Sequence, residues 1–266
     1  YTGSLGYVKP NREASFNVAI RTMVIDKLAH QASYGVGGGI VWDSNAESEW
    51  EESLLKAQVL EFPTASFELF ETIKYDPQEG VCLLEEHISR LRMSSEYFSW
   101  PFKEAIARNL LKGVKSEEAL RIKLVMTRDG ELSIKTSPLP AFGDLIRLKL
   151  AKRPIDSNNI FLFHKTTNRR VYEEAKRDVK KCDDVILFNE REELTETTIA
   201  NLYVELNGNL FTPPLDCGLL PGAFRASMLS KRAAFERVLY KEDLLASNNI
   251  FIGNSLRGLQ KALLYF

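Results

Sequence analysis

The chain has 266 residues, 44% of them hydrophobic and 27% charged, with a net charge of -1. That length buries a core of ordinary size, and the near-neutral balance argues against nucleic acid or an anionic membrane as partner. No apolar run reaches the ~20 residues that span a bilayer, and the first residues carry neither a basic nor an apolar signal region, so a cytoplasmic enzyme with a small-molecule substrate is expected. Cys82, Cys182 and Cys217 are widely spaced and read as free thiols of a reducing compartment, while the scattered histidines suggest no metal site.

Residues 1–62 form the first segment. It opens within a strand-like stretch, passes Ile20-Arg21-Thr22 and the run Gly37-Gly38-Gly39, and ends in an acidic helical stretch over 45–60. Some sixty residues bury little core alone, so this segment reads as a remnant of a longer domain, bounded at Phe62-Pro63-Thr64 where proline disfavours helix before it.

A small α+β lobe is expected over 63–153. Residues 67–75 read as a strand paired with 81–84 across an Asp76-Pro77 turn. Leu84, Ile88, Leu91 and Phe98 recur at helical spacing and carry His87 and Arg90. Residues 120–127 and 131–135 flank the hairpin signal Arg128-Asp129-Gly130, and 145–152 is another strand.

A larger α+β lobe follows over 154–266. Its expected elements are a helix over 168–179, strands at 185–189, 199–206 and 209–212, a helix from 222 to about 234, and a last strand at 249–253 before a short tail. The elements do not alternate as βαβ units, which excludes a doubly wound sheet and favours two lobes with a site between them.

Four stretches carry chemistry together. Lys165 ends the apolar run Ile160-Phe161-Leu162-Phe163, where desolvation lowers an amine's pKa and makes it nucleophilic; a solvated lysine at a helix start is the alternative. Glu196, in a loop before an apolar strand, is placed either to keep a pyridine nitrogen protonated or simply to aid solubility. Leu220-Pro221-Gly222-Ala223-Phe224 feeds a turn into a helix whose first N–H groups make an anion cradle, as many helix starts would. Gly253-Asn254-Ser255 with Arg257 completes a phosphate site or merely ends a strand.

As an ordered set, Leu84 to Leu91, Lys165 with Asn168-Arg169, Leu194-Thr195-Glu196 to Asn201-Leu202, Leu220-Pro221-Gly222 and Gly253-Asn254 resemble the signatures of the class IV pyridoxal-phosphate enzymes. That family holds branched-chain and D-amino-acid aminotransferases and aminodeoxychorismate lyase. The resemblance implies the two-lobed D-amino-acid aminotransferase-like fold, pyridoxal 5'-phosphate as cofactor and a homodimer. It makes Lys165 the Schiff-base lysine and Glu196 the partner of the pyridine nitrogen. It gives Arg90, Leu220, the backbone of Ala223 and Phe224, and the side chain of Asn254 to the cofactor and its phosphate. Thr72 is the candidate second proton donor. The family's substrate-binding arginine lies in a longer loop than the Arg128-Asp129-Gly130 turn allows, which leaves Arg257 and Arg169 as candidates.

Residues 1–62 in turn resemble the C-terminal end of a chorismate-binding synthase, aminodeoxychorismate synthase component I being most similar. The resemblance gives Arg21 to a substrate carboxylate and Glu49 and Glu52 to Mg²⁺, and it expects the rest of that domain upstream. A synthase–lyase fusion favours a lyase acting on aminodeoxychorismate over an aminotransferase or an inactive remnant.

Overall fold

Strict alternation sets the first sheet of the main unit. Along β5 (Leu69–Asp76) every second residue from Leu69 is buried, and β7 (Leu120–Met126) buries Ile122, Leu124 and Met126 in step with it. These side chains meet Ile88 and Leu91 of α2 (Leu84–Tyr97) and Ala107 and Leu111 of α3 (Glu104–Lys112) in one core. With β6 (Gly80–Val81) and β8 (Leu132–Pro138) the strands form an antiparallel sheet in the order β6-β5-β7-β8. The opposite face bears Phe70, Thr72 and Arg121, which line a cavity, and Lys123 beside them.

The computed structural model describes residues 2–57, 60, 66–141, 143 and 145–265. It divides into two compact units, Tyr1–Ala65 and Ser66–Phe266. In the first unit β1 (Ser4–Val8) pairs with β2 (Ala14–Val18), and β3 (Met23–Asp26) with β4 (Gln31–Tyr34). Helix α1 (Ala46–Ala57) is capped by Asn45, whose Oδ1 accepts from the amides of Glu47 and Ser48. No described residue of this unit is buried, the burial expected of a piece cut from a larger core. Glu49 accepts from Ser44 and Glu52 pairs with Lys56, and among the described residues no carboxylate, histidine and cysteine cluster could hold a metal ion. The boundary expected at Phe62-Pro63-Thr64 lies outside the described residues.

The second sheet of the main unit has eight strands. They are β9 (Ile146–Leu150), β10 (Asp184–Phe188), β11 (Leu194–Thr197), β12 (Asn201–Leu206), β13 (Asn209–Thr212), β14 (Phe235–Glu236), β15 (Asn249–Asn254) and β16 (Gly258–Leu264). Their order is β11-β10-β9-β16-β15-β12-β13-β14, and a further pairing of Glu196 with Asn201 joins β11 to β12. Six strands thus close into a ring around Leu148, Ile186, Leu202, Val204 and Ile252, all fully buried. Helices α4 (Arg170–Asp178), α5 (Ala223–Ser230) and α6 (Lys241–Ala246) lie along the same stretch of chain.

Several sequence expectations change here. Glu196 stands in strand β11, not in a loop: the strand is four residues long, wholly buried and mostly polar, so it shows no alternation to read. The tail after residue 253 is strand β16, whose Ala262 pairs with Ile146 in parallel; pairing so distant in sequence leaves no local signal. The partner strand at 81–84 shrinks to Gly80–Val81 because Leu83, at φ +52°, already caps α2. The helix from 222 ends at Ser230. Helices α3 and α6 were not expected; both are short. Among the described residues no helix is long and apolar enough to cross a membrane.

Candidate active site

Lys165 is held against β5 by backbone. Its carbonyl accepts from the Phe70 amide at 3.0 Å, Leu69 bridges Thr166, and the Thr167 amide donates to Glu68 O at 2.9 Å. Its Nζ lies 4.8 Å from the centroid of the Phe70 ring. Burial, reinforced by the nearby Arg90 charge and opposed by Glu71, brings the amine down to about 7, a value at which half of it is a free nucleophile at neutral pH.

Glu196 lines the same cavity, of about 310 Å³. Its Oε1 accepts from the Tyr172 hydroxyl at 2.8 Å and from the Leu220 amide at 3.1 Å, and its Oε2 from Asn201 Nδ2 at 3.3 Å. Burial pushes this carboxyl up to about 7, with the Tyr172 and Leu220 hydrogen bonds acting against it. Such a group is only half ionised at neutral pH, and a cationic partner would complete its charge.

The third part is an anion cradle. Gly222 is the N-cap of α5 and no side chain caps the helix, so the first amides, on Ala223 and Phe224, open on the cavity. Arg90 reaches the same place from α2, its Nη1 donating to Pro221 O at 3.1 Å. The rest of the guanidinium grips Glu71, through Nε at 2.9 Å and through Nη2. Glu71 also meets His87 Nδ1 at 2.7 Å and is 1% exposed. Burial alone would raise the Glu71 carboxyl, but Arg90 and His87 outweigh it and hold it at about 2. Arg90 is therefore locked in place before any anion arrives.

The remaining candidates line the cavity in unequal roles. Thr72 faces it from β5 beside Phe70. Arg169 donates to Thr198 O and stacks on Tyr172 at 4.5 Å, so it braces the loop after β11. Arg257 lines the cavity, with Nη1 3.5 Å from Gln260 Oε1. Asn254 lines it too, but its Nδ2 donates to Ile199 O and its Oδ1 accepts from the amides of Leu256 and Arg257. Its carboxamide thus ties two loops of the site together.

Glu71, Tyr172 and Arg121 escaped the sequence reading, and Asn201 entered it only as part of the family resemblance, without a role. Glu71 and Arg121 sit in alternating strands and resemble ordinary strand residues. Tyr172 follows Arg169 by three positions on one helical face, a spacing that hints at shared use. The ensemble offers a reactive amine, a buried carboxyl and an anion cradle around one cavity.

Comparison with known proteins agrees with this arrangement. Residues 68–264 match the family model of amino-transferase class IV, and residues 1–61 match that of chorismate binding enzyme. A Schizosaccharomyces pombe protein named "Putative aminodeoxychorismate lyase" is 30% identical over 74% of this chain and 89% of its own length. The crystal structure of a "Putative amino-acid aminotransferase" from Mesorhizobium loti superposes with a TM-score of 0.69 at 34% identity, covering 75% of this chain and all of that one. Anthranilate synthase component 1 of Lactococcus lactis is 49% identical over 61 residues, 23% of this chain and only 13% of that protein. The chain carries a chorismate-binding fragment ahead of a longer domain, and through that domain it belongs to amino-transferase class IV.

Proposed function

We propose that this chain is a pyridoxal 5'-phosphate-dependent 4-amino-4-deoxychorismate lyase, part of a synthase–lyase fusion, that releases pyruvate and leaves 4-aminobenzoate. The residues fit that cofactor. Lys165 offers an amine that is half deprotonated near neutrality, and Glu196 a carboxyl that gains from meeting a protonated ring nitrogen. Gly222 leaves a cradle in which a Cβ would collide with Asn201, and Arg90 adds a fixed positive charge there.

Bound there, the cofactor supplies an electron sink for the substrate carbon that bears the amino group. Lys165 Nζ would hold it, and the free amine would be the base that takes the proton from C4 of the substrate. Glu196, steadied by Tyr172 and Leu220, would keep a proton on the ring nitrogen. Loss of the C4 proton with cleavage of the enolpyruvyl C–O bond aromatises the substrate ring, so no keto-acid acceptor is consumed. Thr72, on the cavity face of β5, is the candidate to hand a proton to the departing group.

The join of a chorismate-binding segment to a class IV domain in one chain carries the choice of reaction. A second reading, an aminotransferase for branched-chain or D-amino acids, is favoured by the 34% identity to the Mesorhizobium protein. Chromatographic detection of 4-aminobenzoate from enzymatically made 4-amino-4-deoxychorismate, with and without pyridoxal 5'-phosphate, tests the proposal. Cofactor-dependent product supports the lyase. No product, together with rapid conversion of the cofactor to its amino form by glutamate or alanine, replaces it with the aminotransferase.

A further inference from the structure

The cavity face of the four-stranded sheet is basic against its own interest. Lys74 stands directly opposite Arg121, and Lys123 directly opposite Lys135. Like charges so placed destabilise a sheet. Asp76 relieves Lys74 at 3.2 Å, but among the described residues Arg121, Lys123 and Lys135 make no ion pair. The uncompensated charge leads into the site: Arg121 lines the cavity, and the amine of Lys123 lies 5.1 Å from the same Phe70 ring that Lys165 approaches to 4.8 Å.

The other cavity arginines are engaged. Arg90 is gripped by Glu71, Arg169 holds Thr198 O and stacks on Tyr172, and Arg257 turns toward Gln260. Among the described residues Arg121 makes no hydrogen bond through its side chain, which leaves a whole guanidinium fork, the shape that meets a carboxylate with two hydrogen bonds.

We propose that Arg121, flanked by Lys123, is the carboxylate receptor of this site, and that the substrate is a dicarboxylate drawn in along the basic face of the sheet. This rests on the lyase reading, whose substrate bears two carboxylates, and it names the residues that would select for them. A monocarboxylate amino acid would leave half of that positive charge unmet.

Calorimetric titration of the pyridoxal-phosphate-loaded protein with benzene-1,3-dicarboxylate and with benzoate tests the assignment without turnover. The dicarboxylate should bind about tenfold tighter, and added salt should narrow that gap. Arg121→Gln should remove most of the preference, and Arg121→Lys, which keeps the charge but not the fork, should restore part of it. Lys123→Gln should lower it about threefold and serves if Arg121→Gln does not fold. Lys112→Gln, on an exposed helix end, should change nothing. Equal affinity for the two ligands, or a preference untouched by Arg121→Gln and Lys123→Gln, overturns the proposal. If no 4-aminobenzoate is formed while the Arg121-dependent preference persists, the lyase reading falls and the receptor stands. Product formation with KM unchanged in Arg121→Gln does the reverse.

Discussion

Gly222 and Asn201 share a space that no Cβ can enter: one built at 222 would lie 1.9 Å from Asn201 Oδ1. The contact matters because the same carboxamide donates to Leu220 O at 2.9 Å and to Glu196. Gly222 has an ordinary φ of -62°, so glycine is required here for room and not for backbone freedom. Gly222→Ala should displace Asn201, loosen both the cradle and Glu196, and weaken pyridoxal 5'-phosphate binding at least about tenfold, with about 1–3 kcal/mol lost in stability. Absorbance titration and thermal melting check this, and wild-type affinity in the variant would contradict it.

Lys165 should react as a base of unusual weakness. Its amine sits at about 7 where an ordinary lysine sits at 10.5, first through burial and then through Arg90. The rate of attachment to pyridoxal 5'-phosphate should therefore rise with pH and be half-maximal near 7, and Lys165→Ala should abolish borohydride-fixed labelling. The sign for stability is also set. The unfolded chain binds the proton that the folded one refuses between 7 and 10.5. The cofactor-free protein is thus penalised fully below that window, and the penalty fades as pH rises through it. Lys165→Met should stabilise most in mild acid and not at all above the window. A reaction midpoint near 10 would remove the assigned environment.

Lys165 and the 220–224 turn were legible in the sequence because each stands at a break in a local pattern, the end of an apolar run and a Pro-Gly turn before a helix, whereas Arg90 was singled out only by the family resemblance. What was not legible depends on register. Strand β11 is four buried residues without alternation, and β16 finds its parallel partner more than a hundred residues away. Arg121 falls opposite Lys74, and Lys123 opposite Thr72, only once β5 and β7 are aligned, and Glu71 becomes a clamp only when α2 is laid across the sheet. Tertiary pairing, not composition, gives these residues their meaning.

Glu196→Gln separates binding from rate. The amide oxygen can still accept from Tyr172 and Leu220, so pyridoxal 5'-phosphate should remain attached. A neutral amide, however, cannot hold the ring nitrogen protonated, and turnover should fall by about a hundredfold or more. The carboxyl is raised from 4.5 to about 7, so the folded protein holds a proton there that the unfolded chain releases. Its penalty is absent below 4.5 and complete above 7, and the cofactor-free variant should gain stability over the native protein only as pH rises through that range. Urea melts at several pH values, paired with single-turnover rates, measure both effects. Unchanged turnover would deny Glu196 its role.

Glu71 should be the costliest acid in the main unit to neutralise. It is 1% exposed and bound by Arg90 and His87, so Glu71→Gln strands a buried guanidinium and should cost about 3 kcal/mol at neutral pH. The native carboxyl is held at about 2 against an ordinary 4.5. Its contribution is therefore whole above 4.5 and is lost as pH falls through about 2, and the gap between variant and native protein should narrow in acid. A gap independent of pH would mean that packing, not charge, is what the variant removes. The same substitution reaches Lys165, because Glu71 is the stronger of the two carboxylates, with Glu196, that oppose Arg90 there. With it gone, the midpoint for cofactor attachment should move below 7, a displacement that a merely structural Glu71 would not produce.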